Sequence, residues 1–163
     1  MDRIEAVENA KAVLSGAVEW SIMKWLTEKK RVRTAADSGT AALDEAELAV
    51  KAEWPEELNN AYAELVPPEP GDPFAESEYE YVKQMAAGLP EEIKALARQV
   101  KEADDAATAA RELAEQIFSD AESKMSASLA RQGAEKALEA YELRYIAIAA
   151  AKAARNAAMN GAG

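Results

Sequence analysis

Ile93, Leu96, Val100, Ala103, Ala107, Ala110, Ala114, Ile117 and Ala121 follow one another at alternating spacings of three and four, and every one is apolar. That is the seam of a heptad repeat, the face along which one long helix meets another. Because alanine supplies little side-chain volume, helices meeting along such a seam must bring their backbones unusually close. Downstream, Ala134, Leu138, Tyr141, Tyr145 and Ile148 form one stripe, and Leu143, Ala147, Ala150, Ala154 and Ala157 form another. A helix apolar on two sides has to be covered twice, by its own bundle and by a second chain. The two segments are expected to form an antiparallel hairpin with arms over 90–127 and 131–159, about 57 Å and 43 Å long at the helical rise. The turn is expected between Ser126 and Gly133, where serines and a glycine lower helix propensity, with one unbroken helix as the alternative.

Upstream, Ile4, Val7, Leu14, Ala17, Val18, Ile22, Trp25 and Leu26 recur at helical intervals and predict a single helix from Asp2 to about Arg33, closed by Lys29, Lys30, Arg31 and Arg33. Asp37-Ser38-Gly39-Thr40 has turn composition and predicts a break before a shorter helix over 41–53. Pro55 starts another short helix carrying Leu58, Ala61, Tyr62 and Leu65. Four of the six prolines fall in Pro67–Pro73, which no helix interior tolerates. The chain therefore divides into 1–66, a proline-rich linker 67–73, and 74–163, joined in one folded unit. Asp72-Pro73 starts a helix with Phe74, Tyr81, Val82 and Met85 on its apolar side that closes at Gly88, and Pro90-Glu91-Glu92 starts the next. No internal repeat is visible.

Composition strengthens the helical reading. The 163 residues include 39 alanines, the strongest helix former, against 7 glycines. The expected fold is all-α: a helical bundle with a long, antiparallel, coiled-coil-like C-terminal hairpin. Charge is uneven, with nets of +2 over 1–34, −12 over 35–80 and −1 over 81–163. An acidic middle argues against direct nucleic-acid binding, which wants a basic stripe, and suits a basic protein surface.

The absences bound the chemistry. With no cysteine and no histidine the chain lacks a thiol nucleophile, Cys-based metal sites and the usual proton carrier near neutral pH. The first residues lack the basic-then-apolar pattern of a secretion signal. The longest apolar run, Tyr145–Ala151, is too short to cross a membrane, so a cytoplasmic location is expected. Trp20–Arg33 has the makings of a membrane-surface helix, but the apolar face running back to Ile4 favours packing.

Ser21 and Lys24 have the Ser-x-x-Lys spacing of some acyl-transfer enzymes without the accompanying motifs. Glu76, Glu78 and Glu80, the Asp104-Asp105 pair, and Glu135, Glu139 and Glu142 read as solvated faces, since nothing around them suggests the burial that acid–base work needs. The aromatics Trp20, Trp25, Trp54, Tyr62, Phe74, Tyr81, Phe118, Tyr141 and Tyr145 read as core anchors, or as partner contacts where exposed.

The expected role is a non-enzymatic helical structural or adaptor protein, self-associating or joining a larger assembly, with no cofactor or metal. So much alanine suits a GC-rich bacterial or phage genome and an assembly component of such a source. The expected protein interface is Ile93, Leu96, Val100, Ala103, Ala107, Ala110, Ala114 and Ile117 with Leu143, Ala147, Ala150 and Ala154. An acidic module docking a basic partner through 35–80 is the alternative. Carboxylate and tyrosine enzyme chemistry would need a deep pocket joining Tyr79 or Tyr81 to two buried acids.

Overall fold

A computed structural model describes residues 3–161, and among them every element is a helix: α1 (Arg3–Ala17), α2 (Ile22–Lys51), α3 (Glu56–Glu64), α4 (Pro73–Ala87), α5 (Glu91–Lys124) and α6 (Ala127–Gly161). The expected helix start at Asp2 lies outside the described residues.

Local chemistry sets most boundaries. Pro55 precedes α3 and Pro90 precedes α5. Asp72 caps α4, its Oδ1 accepting from the backbone N–H of Phe74 at 3.0 Å and Ala75 at 3.3 Å. Gly88 ends that helix. The hairpin turns at Met125 and Ser126, the near edge of the expected interval. Met125 closes α5 in the left-handed conformation (φ 52°, ψ 48°), and the Ser126 hydroxyl opens α6 by accepting from Leu129 N–H at 3.2 Å.

Two expectations fail. The first helix does not reach Arg33. It ends at Ala17, tight turns bind Glu19 N–H to Gly16 O and Trp20 N–H to Ala17 O, and Ser21 caps a new helix by accepting from Lys24 N–H at 3.3 Å. Nor does the chain turn at Asp37–Thr40, since α2 runs straight through to Lys51. Gly39 is needed there for close packing, because a Cβ on it would lie 2.2 Å from Tyr141 Oη and 2.8 Å from Ala10 Cβ. Gly133 plays the same part inside α6, where a Cβ would lie 2.6 Å from the Phe118 ring.

Helix α6 is the hub. It packs along the whole of α5 as an antiparallel hairpin and also against α2 and α1, while α1 lies on α2. Pairings along α2 and α6, Arg131 with Trp20 O, Tyr141 with Ala36 O, Arg144 with Glu47 and Arg155 with Glu53, show these two helices running parallel. One apolar core joins residues from both sides of the proline-rich segment, with Leu14, Trp25, Val32, Leu58 and Val100 essentially sealed from solvent. Trp25 stacks on Phe118 at 4.9 Å, supplying bulk where the neighbours are alanine. Helix α4 rests chiefly on α3, away from this core.

Candidate functional site

Three charged residues occupy positions that the helical pattern reserves for apolar ones. On α2, Glu47 falls in register with the buried Gly39, Leu43 and Val50. On α5, Asp104 falls between Val100 and Ala107, and on α6 Arg144 lies three positions beyond Tyr141 and four before Ile148. The folding that buries these stripes draws the three charges together. Glu47 keeps 6% and Asp104 8% of its surface exposed, so neither is on the solvated face expected of Asp104.

Their partners nearly balance the charge. Arg144 donates to Glu47 Oε2 at 2.8 Å, pairs with Asp44 Oδ1 at 2.7 Å and lies 3.5 Å from Asp104 Oδ1. Lys51 donates to Asp104 Oδ2 at 2.8 Å, and Tyr62, from α3, donates to the same oxygen at 2.6 Å. The Lys51 ammonium also sits 4.3 Å above the Tyr62 ring, while Trp54 meets that ring edge-on and donates its indole N–H to Ala151 O at 3.1 Å. The network thus ties α2, α3, α5 and α6 into one joint.

Two oxygens in the joint, Glu47 Oε1 and Asp104 Oδ1, are buried with no donor. A single proton resolves both vacancies. Burial, and then a hydrogen bond to Asp104, raises the Glu47 carboxyl to about 7. Burial also acts on Asp104, but hydrogen bonds from Glu47, Lys51 and Tyr62 outweigh it and hold its carboxyl below the usual range. Below about pH 7, and short of the strong acid that protonates Asp104, Glu47 is the donor and Asp104 the ionised acceptor. Burial followed by the bond to Asp104 pushes the Tyr62 hydroxyl upward as well.

Beside the joint lies a groove. Helices α2 and α5 scarcely touch backbone to backbone; both lean on α6, and long side chains span the gap. Lys29 reaches Glu122 at 2.7 Å and Arg33 reaches it at 3.4 Å at one end, and Lys51 reaches Asp104 at the other. The Lys29 bond holds the Glu122 carboxyl below its ordinary range. Between these bridges Ala36, Ala107, Ala114, Ala137 and Ala140 face a cavity of about 210 Å³, because methyl groups are too small to fill it. Phe118 and Leu43 complete its apolar wall, and Tyr141, raised to about 12 by burial, donates its hydroxyl to Ala36 O at 2.7 Å. Arg144 joins cavity and joint, but Glu47 and Asp104 are not among the residues that line the cavity.

The expected interface residues are largely covered by the chain itself. Val100, Ala107, Ala110, Ala114, Ala147 and Ala154 are buried, and Ile93, Leu96, Ala103, Ile117, Leu143 and Ala150 are half-buried. The buried stripe of α5 takes in Ala97, Asp104 and Phe118, one position on from three of the predicted seam residues. Of the aromatics, Trp25, Trp54, Phe118 and Tyr141 are core, Trp20 and Tyr62 are half-buried, and Phe74, Tyr81 and Tyr145 are exposed. Tyr79 donates to Glu64 O at 2.6 Å, tying α4 to the end of α3. Glu76, Glu78 and Glu80 stand in solvent, as do Glu135, Glu139 and Glu142.

Helix α4 carries two apolar stripes. Ala75, Tyr79, Val82 and Ala86 are wholly or partly covered. Phe74, Tyr81 and Met85 lie within about 40° of one another around the helix and keep 73%, 60% and 44% of their surface exposed. Among the described residues no group of three or more acidic side chains is placed to hold a metal, and no helix is long and apolar enough to cross a membrane. Compared with known protein families, curated proteins and solved structures, the chain matches none.

Proposed function

We propose that this chain is a non-enzymatic helical adaptor that joins a larger protein assembly through α4. The observation that carries this reading is the second apolar stripe of that helix, Phe74, Tyr81 and Met85, left uncovered on an element that rests chiefly on α3. Large exposed aromatics and methionine on one helical face are what protein interfaces concentrate. The alanine seams of α5 and α6 serve the bundle instead, since the chain's own helices already cover much of them. Glu78 borders the stripe, while Glu76 and Glu80, also exposed, lie about 100° or more away around the helix. A partner helix with an apolar stripe and a basic residue placed opposite Glu78 complements that surface.

Self-association through the same stripe is the second reading, and it sets Glu78 of one copy near that of the next. Gel filtration with light scattering separates the two. A concentration-dependent dimer that Phe74→Ser/Tyr81→Ser dissolves supports self-association, whereas a strict 17.5 kDa monomer at high concentration rules it out. The adaptor reading fails if the double variant, folded to the same helix content, still supports every interaction and assembly of the native protein.

A further inference from the structure

The cavity between α2 and α5 holds an unspent set of charges. Of its three arginines, Arg33 is engaged by Glu122, and Arg144 is saturated by Asp44 and Glu47. Arg111 is different. It forms only a long ion pair with Asp44 at 3.9 Å, too far for a hydrogen bond, so its planar set of donors makes no hydrogen bond at the cavity wall. On the same lining, Asp37 from α2 and Glu115 from α5 have no cationic partner among the described residues. One guanidinium in only a long ion pair and two unpaired carboxylates therefore stand over a floor of alanine methyls and the Phe118 ring.

We propose that this cavity binds a small zwitterion with an apolar body, a molecule of the amino-acid type. Arg111 takes the carboxylate in a two-pronged bond, and Asp37 and Glu115 take the ammonium. The apolar group enters the space that the alanines leave open, displacing water that methyl groups hold poorly. A volume of about 210 Å³ fits this scale of occupant, because sites for drug-sized ligands run to roughly 300–1,000 Å³. A singly charged ligand engages only one part of the charge set and forgoes the charge-assisted bonds to the other. This inference stands independently of the α4 surface, which lies on a different element.

The test titrates the whole chain with L-phenylalanine, phenylacetate and phenethylamine, followed by backbone amide shifts and calorimetry. L-Phenylalanine is expected to bind saturably, with shifts on α2, α5 and α6 around the cavity. Phenylacetate and phenethylamine each lack one charged group and are expected to bind about tenfold or more weakly. Arg111→Gln, a change at a half-buried position, is expected to lower affinity for L-phenylalanine by a similar factor with helix content unchanged. Ala140→Leu fills the cavity and abolishes binding, and Ala107→Leu does so from the opposite wall. The proposal is overturned if L-phenylalanine gives no saturable shift up to about 10 mM. It is equally overturned if either half-molecule binds as tightly, or if Arg111→Gln leaves the affinity unchanged.

Discussion

Raising the pH from 5 to 8 should destabilise this protein, the opposite of the trend set by surface carboxylates. In the folded chain Glu47 keeps its proton to about 7, against an ordinary value of 4.5, because burial and the bond to Asp104 disfavour its charge. Folding therefore takes up a proton between those limits. The stabilisation is fully present below pH 4.5 and is lost as pH rises through 7, amounting to about 3 kcal/mol for the whole interval. Asp104 works in the other sense, since its lowered carboxyl gives stability above 3.8 that disappears only in stronger acid. The chain has no histidine, and Glu47, raised to about 7, titrates inside the window from pH 5 to 8. Urea unfolding followed by far-ultraviolet circular dichroism should show the midpoint falling by about 1–2 M between pH 5 and pH 8. Glu47→Gln keeps a neutral donor toward Asp104 and should flatten that dependence, leaving the variant more stable than the parent at pH 8. A parent that gains stability over this range, or a variant with the parent's slope, would refute the shared proton.

Further perturbations test the packing. Gly39→Ala should destabilise by about 1–3 kcal/mol despite alanine's better helix propensity, because Tyr141 and Ala10 leave no room for a Cβ. Gly16→Ala, whose nearest neighbour is Trp20 at 3.8 Å, should by contrast be neutral or stabilising in the same thermal melt. Met125→Gly should raise the melting temperature by relieving the left-handed cap, by about 0.5–1 kcal/mol. Tyr62→Phe removes one donor to Asp104 at the α3 joint and should cost about 1–3 kcal/mol in chemical unfolding.

How much was legible in the sequence follows from what each residue's signal depends on. Pro55, Asp72-Pro73, Gly88 and Pro90 act on their own backbone, so the starts of α3, α4 and α5 and the end of α4 were readable from the chain alone. Gly39 and Gly133 gave the same local signal as a turn glycine, yet their reason lies about a hundred residues away in Tyr141 and some fifteen away in Phe118. The break at Val18–Ser21 carried only a serine N-cap without its usual acidic companion, too weak to interrupt an apolar stripe that continued past it. Asp104 read as a solvated carboxylate because its polar surroundings in the sequence gave no sign of burial, and Glu47 and Arg144 were not singled out. Their common signal is a charge at a core register on each of three helices, with signs that sum toward neutrality. A helix-by-helix reading sees three exceptions where the folded chain has one network. The stripe on α4 was visible as Phe74, Tyr81, Val82 and Met85, but the division between covered and open sides depends on where α3 lies.

The adaptor claim meets its most direct test in a photo-crosslinking amino acid placed at Phe74 or Tyr81 of the full chain in its native cells. The α4 surface predicts a discrete adduct with one protein at both positions, and none from Glu135, an exposed position on α6. Crosslinks absent from both α4 positions, or equally abundant at Glu135, would contradict it.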